Sequence, residues 1–280
     1  MREIPVTTLA DALLRGIEQA SFELGERERS ALAAALEKEQ SQTGRAILAE
    51  LLENVEVARE ERRPLCQDTG VAVVFLDVGQ EVRLTGGDVT AAVQGAVAEG
   101  YRRFYLRKSM VAHPLARKNT GDNTPAIVHM RLTPGDRVRL RFAAKGGGCE
   151  NMSRLAMLTP SAGREGVVEF VVRAAREAGG NPCPPVVVGV GLGGNFETCA
   201  LLAKEALLRP LGEAAANPVD AELERELLDR INATGVGPMG LGGSVTALAV
   251  HVASHACHIA ALPVAVNLDC HSHRHFETTL

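Results

Sequence analysis

The chain has 280 residues, of which 46% are hydrophobic and 23% charged, enough to bury a substantial core. Aromatic residues make up only 3%, tryptophan is absent and the net charge is -4, so we do not expect a nucleic-acid partner. No stretch has the length of a membrane span and the N-terminus lacks the pattern of an export signal, which favours a cytoplasmic protein without a membrane partner.

The first third of the chain predicts helices followed by a buried strand. Residues 26–39 and 45–60 have helical periodicity, and the helical part is expected to end at Pro64. The continuous apolar run at 71–78 predicts a strand that is buried on both faces. Another helix is expected to begin near Asp88.

The middle of the chain alternates between loops and regular elements. Residues 109–125 contain so many Pro, Asn, Gly and Asp residues that we expect a long structured loop. Two alternating segments, 127–132 and 137–142, flank a turn and predict a β-hairpin. A second loop, AKGGGCENMS at 144–153, precedes a helix that should stop at the glycines near residue 180.

The last third predicts a buried strand at 184–194, a helix directly after it, a further helix at 219–232 and two apolar strands. Because helices and strands interleave, the predicted fold class is α/β with mixed β-sheets flanked by helices. We expect one catalytic domain over residues 1–280, with a helical N-terminal part at 1–63 and an α/β body at 64–280.

A glycine motif lies between the strand at 184–194 and the next helix. Gly189, Gly191 and Gly194 satisfy G-x-G-x-x-G, which is typical of dinucleotide folds. The helix that follows runs into a second helix, whereas a dinucleotide fold requires a second parallel strand. We therefore expect these glycines to allow close packing of strand and helix, with nucleotide binding as the alternative.

The six cysteines form no C-x-x-C pair, so a zinc ribbon or a ferredoxin-type run is not indicated. In a large chain without an export signal, cysteines are more often ligands, nucleophiles or buried side chains than disulfides. Cys66, Cys183 and Cys270 lie beside turn-forming residues at the ends of predicted elements, where a thiolate can face a cleft. Three thiolates suffice for a [4Fe–4S] cluster with one iron that the protein leaves open.

The remaining cysteines carry weaker expectations. Cys199 and Cys257 lie in apolar patterns and are expected to be buried, while Cys149 follows three glycines that allow close approach to a ligand. Histidines near the C-terminus provide an alternative to the cluster. A zinc site there would use four donors: Cys257, His258, Cys270 and His271.

Charged residues near the loops suggest anion binding and proton transfer. A solvated face is the alternative for Arg102 and Arg103, whereas Arg107 and Lys108 lie at a predicted helix end, where a guanidinium can clamp a carboxylate. Asp68 lies two residues after Cys66, and a carboxylate so close to a cluster could hold or shuttle a proton. The alternative for Asp68 is a turn cap.

Six motifs occur in the order found in the class I (iron–sulfur) fumarate hydratase and L(+)-tartrate dehydratase family, in its alpha-subunit form, which the chain resembles over about residues 40–275. They are RPLCQDTG, LRKSMVAHPLARKNTGDNTPA, AKGGGCENMS, NPCPPVVVGVGLGGNFE, GVGPMGLGG and LPVAVNLDC. The resemblance implies a hydro-lyase with an oxygen-sensitive [4Fe–4S] cluster that has one open iron. By motif, its ligands are Cys66, Cys183 and Cys270.

The resemblance also implies roles for the pocket residues. Substrate binding is expected from Gln67, Arg107, Gly146, Gly147 and Gly148, and catalysis from Asp68 and His258. Single-chain members continue into a further domain that carries more pocket residues. Since this chain stops at Leu280, we expect a separate beta subunit in a hetero-oligomer.

The substrate implied by the resemblance is a small dicarboxylate. The loop at 119–125 resembles that of the fumarases and favours interconversion of fumarate and (S)-malate. Cys149 in GGGC resembles the tartrate enzymes, so L(+)-tartrate dehydratase is the alternative substrate assignment. From other classes of function, the alternatives are a protein that holds a metal cluster without catalysis and a nucleotide-binding protein.

Overall fold

Strands and helices alternate along the chain in the computed structural model, which describes residues 1–280. The ten strands are β1 (Arg2–Pro5), β2 (Val71–Gly79), β3 (Val82–Thr85), β4 (Ile127–Thr133), β5 (Val138–Lys145), β6 (Arg154–Leu158), β7 (Val186–Gly193), β8 (Ala247–His255), β9 (Leu262–Asp269) and β10 (His275–Thr279). The eight α-helices are α1 (Val6–Phe22), α2 (Glu26–Lys38), α3 (Gln42–Glu61), α4 (Val89–Arg103), α5 (Gly147–Glu150), α6 (Gly163–Ala178), α7 (Phe196–Ala206) and α8 (Pro218–Asn232). No helix has the length and apolar content needed to cross a membrane.

The sheets contain parallel and antiparallel pairs, which confirms the predicted α/β class with mixed sheets. The chain divides into two compact units, each built from separate segments. The first unit comprises residues 1–24, 57–147 and 274–280, and the second comprises residues 25–56 and 148–273. The chain therefore passes from the first unit to the second between Gly147 and Gly148, within the KGGG motif. The single catalytic domain with a boundary at residue 63 stays a prediction.

The first unit is built on a four-stranded sheet in the order β10-β5-β2-β4. Helix α1 packs against α4, β5 and β10. The core includes Leu13, Ile17, Leu76 and Phe142, all of which are fully buried. Burying each such side chain contributes about 1.5–3 kcal/mol to folding, so this core stabilises the sheet and the helices packed on it.

The predicted hairpin between β4 and β5 is wrong. Strand β2 lies between them, parallel to β4 and antiparallel to β5. The physical reason is that residues Ala72 to Gly79 of β2 are all buried, so their main-chain N–H and C=O groups need hydrogen-bond partners on both edges of the strand. Alternation in the two flanking segments indicates an exposed face, but it does not identify the neighbouring strand.

The second unit is built on a four-stranded sheet in the order β6-β9-β7-β8. Strand β7 is parallel to β8 and antiparallel to β9. Helices α6 and α8 pack together and contribute Val168, Val171 and Leu227 to a core with residues of β7, β8 and β9. Helix α7 follows β7 and packs back against it.

The glycines of β7 explain how α7 approaches the sheet so closely. A Cβ on Gly189 would lie 2.1 Å from the Ala203 carbonyl oxygen, and a Cβ on Gly191 would lie 1.9 Å from the Cys199 carbonyl oxygen. No side chain fits at either position. The expectation that these glycines serve strand–helix packing is thus confirmed.

Candidate active site

The Asp68 turn, residues 66–70, connects the helical segment to β2 in the first unit. The Gly70 N–H donates to Asp68 Oδ1 at 3.1 Å, and the Gly147 N–H donates to Asp68 Oδ2 at 2.7 Å. Because each oxygen of the Asp68 side chain accepts from a main-chain N–H, Asp68 holds the turn beside the glycines that follow β5. A Cβ on Gly146 would lie 3.4 Å from Asp68 Oδ2, so that glycine lies beside the same carboxylate.

Three polar side chains fix the Asp68 turn, and none of them was predicted from the sequence. The Tyr101 hydroxyl donates to the Thr69 carbonyl at 2.7 Å, and the Thr69 hydroxyl donates to the Arg107 carbonyl at 2.6 Å. Asn123 Nδ2 donates to the Gly70 carbonyl at 3.1 Å. A signal for Asn123 exists in the TGDNTP motif, because asparagine tolerates the left-handed φ of +64° found there.

Tyr101 is a neutral donor at every ordinary pH. Its burial raises the pKa of the phenol well above the usual value, the charge of Arg274 opposes this shift, and the charge of Asp68 adds to it. The hydroxyl therefore keeps its proton and its hydrogen bond to the Thr69 carbonyl. The hydrogen bond that holds the main chain next to Asp68 therefore does not depend on a change in the charge of Tyr101.

The connection between α4 and β4 is a long structured loop, as predicted for residues 109–125. The Asn119 side chain donates to the Lys108 carbonyl at 2.9 Å and accepts from the Gly121 N–H at 2.7 Å. The backbone and hydroxyl hydrogen bonds from Thr124 lower the pKa of Asp122, which closes the next turn. The Arg107 carbonyl accepts from Thr69 at the Asp68 turn, whereas the Arg107 side chain is exposed to solvent.

The Cys183 turn, residues 180–183, lies in the second unit and carries a half-buried thiol. Cys183 has a φ of +54°, a region that L side chains rarely adopt and that is found often at functional sites. His271 Nδ1 donates to the Cys183 carbonyl at 2.9 Å, so this turn lies against the segment that follows β9. The structure thus brings the Cys183 turn and the segment containing Cys270 together.

A group of three metal-ligating side chains lies in the second unit. One ligand atom each from Cys149, Asp269 and Cys270 lies within 4.8 Å of the others, and all three residues are buried. The Cys149 thiol donates to the Pro182 carbonyl at 3.3 Å, which connects this group to the Cys183 turn. The sequence left the place of Cys149 open, because nothing in its spacing indicates proximity to a residue 121 positions later.

Close packing explains the last glycine of the KGGG motif. A Cβ on Gly148 would lie 2.7 Å from the Asn181 carbonyl oxygen, next to the Cys183 turn. Gly147 is less restricted, since the nearest atom to its Cβ would be Asp68 Oδ2 at 3.7 Å. Gly148 is therefore required for packing in the second unit, independently of any contact with a substrate.

The predicted site residues fall in both units. The first unit contains six of them: Cys66, Gln67, Asp68, Arg107, Gly146 and Gly147. The second unit contains the other four: Gly148, Cys183, His258 and Cys270. His258 lies in an exposed loop after β8, where its Nδ1 accepts from the Ala260 N–H at 3.1 Å. Its catalytic role stays a prediction.

Two expectations about the C-terminal cysteine and histidine residues are corrected. Cys257 is exposed, because β8 ends at His255 and the chain leaves the sheet before the cysteine is reached. The alternative zinc site is not assembled, since Cys257 and His258 lie in the exposed loop whereas Cys270 is buried. Cys199 is buried as predicted, and burial raises the pKa of its thiol.

The donor chemistry of the chain fits an iron–sulfur cluster. Thiolates are the ligands that such clusters require. Cys183 and Cys270 lie on neighbouring turns of the second unit, and Cys66 is half-buried on a turn of the first. The Cys66 thiol donates to Gln67 Oε1 at 3.5 Å, so a polar group already lies beside that sulfur.

Comparison with known proteins identifies the family. Residues 10–279 match the family model described as fumarate hydratase (fumerase). The chain belongs to the fumarate hydratase family. The match covers almost the whole chain and confirms the resemblance predicted from the motifs, and it assigns the chain to a family of hydro-lyases.

Several members of the fumarate hydratase family are similar over most of their length. A relative from Methanocaldococcus jannaschii, provisionally named L(+)-tartrate dehydratase subunit alpha, is 39% identical over 272 residues, which is 95% of each chain. Proteins named L(+)-tartrate dehydratase subunit alpha from Escherichia coli and Shigella boydii are each 37% identical over 239 residues, covering 84% of this chain and 78% of theirs. The similarity therefore includes both units.

Proposed function

We propose that this member of the fumarate hydratase family is the alpha subunit of a [4Fe–4S]-dependent hydro-lyase that interconverts fumarate and (S)-malate. The cluster is held by Cys66, Cys183 and Cys270. The observation that carries the proposal is the family match over residues 10–279, which includes all three cysteine motifs. An oxygen-sensitive cluster of this kind suits a reducing cytoplasm.

The cofactor and the protein have different tasks in this proposal. When bound, the cluster supplies an open iron that acts as a Lewis acid toward the hydroxyl and the adjacent carboxylate of malate. Arg107 and Gln67 bind the dicarboxylate, and the Arg107 guanidinium forms a bidentate pair with one carboxylate group. The glycines of KGGG allow the main chain to approach the substrate closely.

Asp68 and His258 handle protons near the departing hydroxyl group. Two main-chain N–H groups, from Gly70 and Gly147, hold the Asp68 carboxylate in one orientation. A fixed carboxylate is a more efficient proton donor or acceptor than a mobile one, because its geometry needs no further ordering. The exposed imidazole of His258 remains accessible to a substrate or to a second chain.

A beta subunit completes the proposed active site. The relatives from Escherichia coli and Shigella boydii carry the name subunit alpha, which supports a second subunit for this chain as well. We propose that the partner supplies the base that takes the C3 proton from the face opposite the departing hydroxyl. The isolated chain would then bind the cluster and turn over poorly.

L(+)-tartrate is the second candidate substrate, and the names of the relatives favour it. The two substrates differ at C3, where tartrate has a hydroxyl group in place of a hydrogen of malate. A pocket that binds this second hydroxyl would discriminate strongly against malate, since buried polar groups would lose their partner. The fumarase-like loop at 119–125 favours malate.

Parallel assays of the two substrates test the proposal. The chain is combined anaerobically with its beta partner, and kcat/KM is measured with (S)-malate and with L(+)-tartrate. We expect a higher kcat/KM for (S)-malate. A preference for tartrate would assign the second substrate and leave the reaction class intact. Absence of dehydration of either acid by a cluster-loaded complex would favour the alternative of a protein that carries a cluster without catalysis.

A further inference from the structure

Three buried donors in the second unit have the spacing of a site for one metal ion. The ligand atoms of Cys149, Asp269 and Cys270 all lie within 4.8 Å of one another. The exposed fractions of these residues are 4%, 3% and 8%. Thiolates and carboxylates are ligands that a divalent ion such as Zn²⁺ takes, so these three groups form a suitable donor set for one ion.

The spacing distinguishes one ion from a cluster. A tetrahedral ion with metal–sulfur bonds of about 2.3 Å holds its ligand atoms roughly 3.5–3.8 Å apart, so small rotations close this set around a single ion. In an iron–sulfur cluster each thiolate binds a different iron, and the thiolates lie farther from one another. Cys183 is not among the three converging donors, which is the arrangement expected if Cys183 and Cys270 serve different irons.

Neighbouring side chains lie close to two of the three donors. His273 Nδ1 lies 3.2 Å from Asp269 Oδ2, and the Ser272 hydroxyl lies 2.9 Å from the Cys270 sulfur. A hydrogen bond such as that between Ser272 and Cys270 fixes the direction of a ligand and is typical of the outer shell of metal sites. Cys149 lies on the single turn of α5, Asp269 is the last residue of β9 and Cys270 follows it directly.

We propose that the cluster-free chain binds one thiophilic divalent ion, such as Zn²⁺ or Fe²⁺, at Cys149, Asp269 and Cys270. Cys270 also belongs to the cluster set of the proposed function, so an ion at this site and the cluster exclude each other. Only this exclusion rests on the proposed function. The single-ion site itself rests on the geometry of the three donors.

Titration of the cluster-free full chain with Co²⁺ tests the site, because tetrahedral cobalt–thiolate complexes absorb visible light. We expect one equivalent to bind and Zn²⁺ to displace it. Cys149→Ser and Cys270→Ser should each weaken Co²⁺ binding more than tenfold. Cys66→Ser and Cys199→Ser serve as matched controls and should bind Co²⁺ like the unaltered chain. Equal binding by Cys149→Ser, or loss of binding in Cys66→Ser, would overturn the site.

Alkylation of the unaltered chain provides a test that no folding defect can obscure. One equivalent of Zn²⁺ should slow iodoacetamide labelling of Cys149 and Cys270 several-fold, as mapped by mass spectrometry. The exposed Cys257 serves as the internal control and should be labelled at the same rate with and without zinc. Unchanged labelling of both buried cysteines would contradict the site.

Cluster reconstitution separates this proposal from the proposed function. Cys149→Ser should take up a cluster like the unaltered chain, whereas Cys66→Ser should not. Pre-loading the unaltered chain with one equivalent of Zn²⁺ should lower its cluster content several-fold. If no variant forms a cluster but Co²⁺ binding still requires Cys149, the proposed function fails and the single-ion site stands. Full reconstitution of the zinc-loaded chain would overturn the exclusion.

Discussion

The Gly147 N–H donates to the Asp68 carboxylate at 2.7 Å, although 79 positions separate the two residues along the chain. This hydrogen bond joins the turn that carries Cys66 to the glycine motif after β5. The second oxygen of Asp68 accepts from the Gly70 N–H of its own turn. Asp68 is therefore both a structural acceptor and the proposed proton-handling group, and asparagine at this position would keep only one of the two accepting oxygens.

Replacing Asp68 with asparagine tests its role in proton transfer. In the two-subunit enzyme, we expect Asp68→Asn to retain its cluster and to lose about 10²-fold or more in kcat, because an amide cannot exchange a proton with the departing group. Asp88→Asn is the matched control. Asp88 caps α4 by accepting from the Ala91 N–H, and asparagine caps helices equally well. Full activity of Asp68→Asn would contradict the assigned role.

Gly148→Ala tests the close packing beside the Cys183 turn. The new methyl group would meet the Asn181 carbonyl oxygen at 2.7 Å, so we expect a loss of about 1–3 kcal/mol in the free energy of unfolding. Gly147→Ala has 3.7 Å to its nearest neighbour and should change stability by less than about 1 kcal/mol. Denaturant unfolding of both variants checks the prediction, and equal stability of the two would refute it.

Asn123→Ala tests the buried amide that holds the Asp68 turn. Asn123 is fully buried, donates to the Gly70 carbonyl and accepts from the Ser109 N–H at 2.6 Å. We expect a loss of about 2–4 kcal/mol, because two buried main-chain groups lose their partner. Asn123→Gly fits the φ of +64° and separates this loss from backbone strain. A glycine variant as stable as the original protein would show that the hydrogen bonds contribute nothing.

Glu39 predicts a pH dependence of stability. Its carboxylate is buried and accepts from the Ser244 and Val245 N–H groups, both at 2.9 Å, and from the Ser41 N–H at 2.8 Å. Burial acts to raise the pKa of Glu39, but the hydrogen bonds from Ser244, Ser41 and Val245 together outweigh it, and the pKa is lowered. A lowered folded-state pKa means that Glu39 stabilises the fold above its ordinary pKa of 4.5 and that this contribution is lost as the pH falls through the folded value.

Chemical denaturation of Glu39→Gln at several pH values measures this contribution. We expect a loss of about 2–4 kcal/mol at pH 7 and a smaller fall in stability on acidification than in the unaltered chain. Glu37→Gln on the exposed side of α2 is the control and should match the unaltered chain at every pH. Parallel pH profiles for Glu39→Gln and the unaltered chain would refute the assignment.

Local patterns in the sequence predict many elements of this fold but few of its long-range neighbours. Periodicity alone indicates α2 and α3, and the continuous apolar run indicates β2 as a buried strand. The hairpin of β4 and β5 fails because alternation reports which face is exposed and not which strand is adjacent. Strand β10 was not predicted, since its pairing with β5 depends on contacts such as that of Arg139 with Glu277, 138 positions apart.

The site follows the same division. The motifs predicted the cysteines of the proposed cluster because each lies beside turn-forming residues. The convergence of Cys149, Asp269 and Cys270 could not be predicted, because it depends on how α5 and β9 pack in three dimensions. Tyr101 and Asn123 were missed for a related reason. Each is an ordinary residue of a helix or loop until the fold buries it against the Asp68 turn.

The most direct test of the central claim is the EPR spectrum of the reduced cluster in the anaerobically reconstituted two-subunit enzyme, recorded with and without (S)-malate. A hydro-lyase cluster on Cys66, Cys183 and Cys270 leaves one iron accessible, so the account predicts that malate changes the signal. A signal that stays identical at saturating malate and L(+)-tartrate would mean a cluster without an open iron, and would contradict the account.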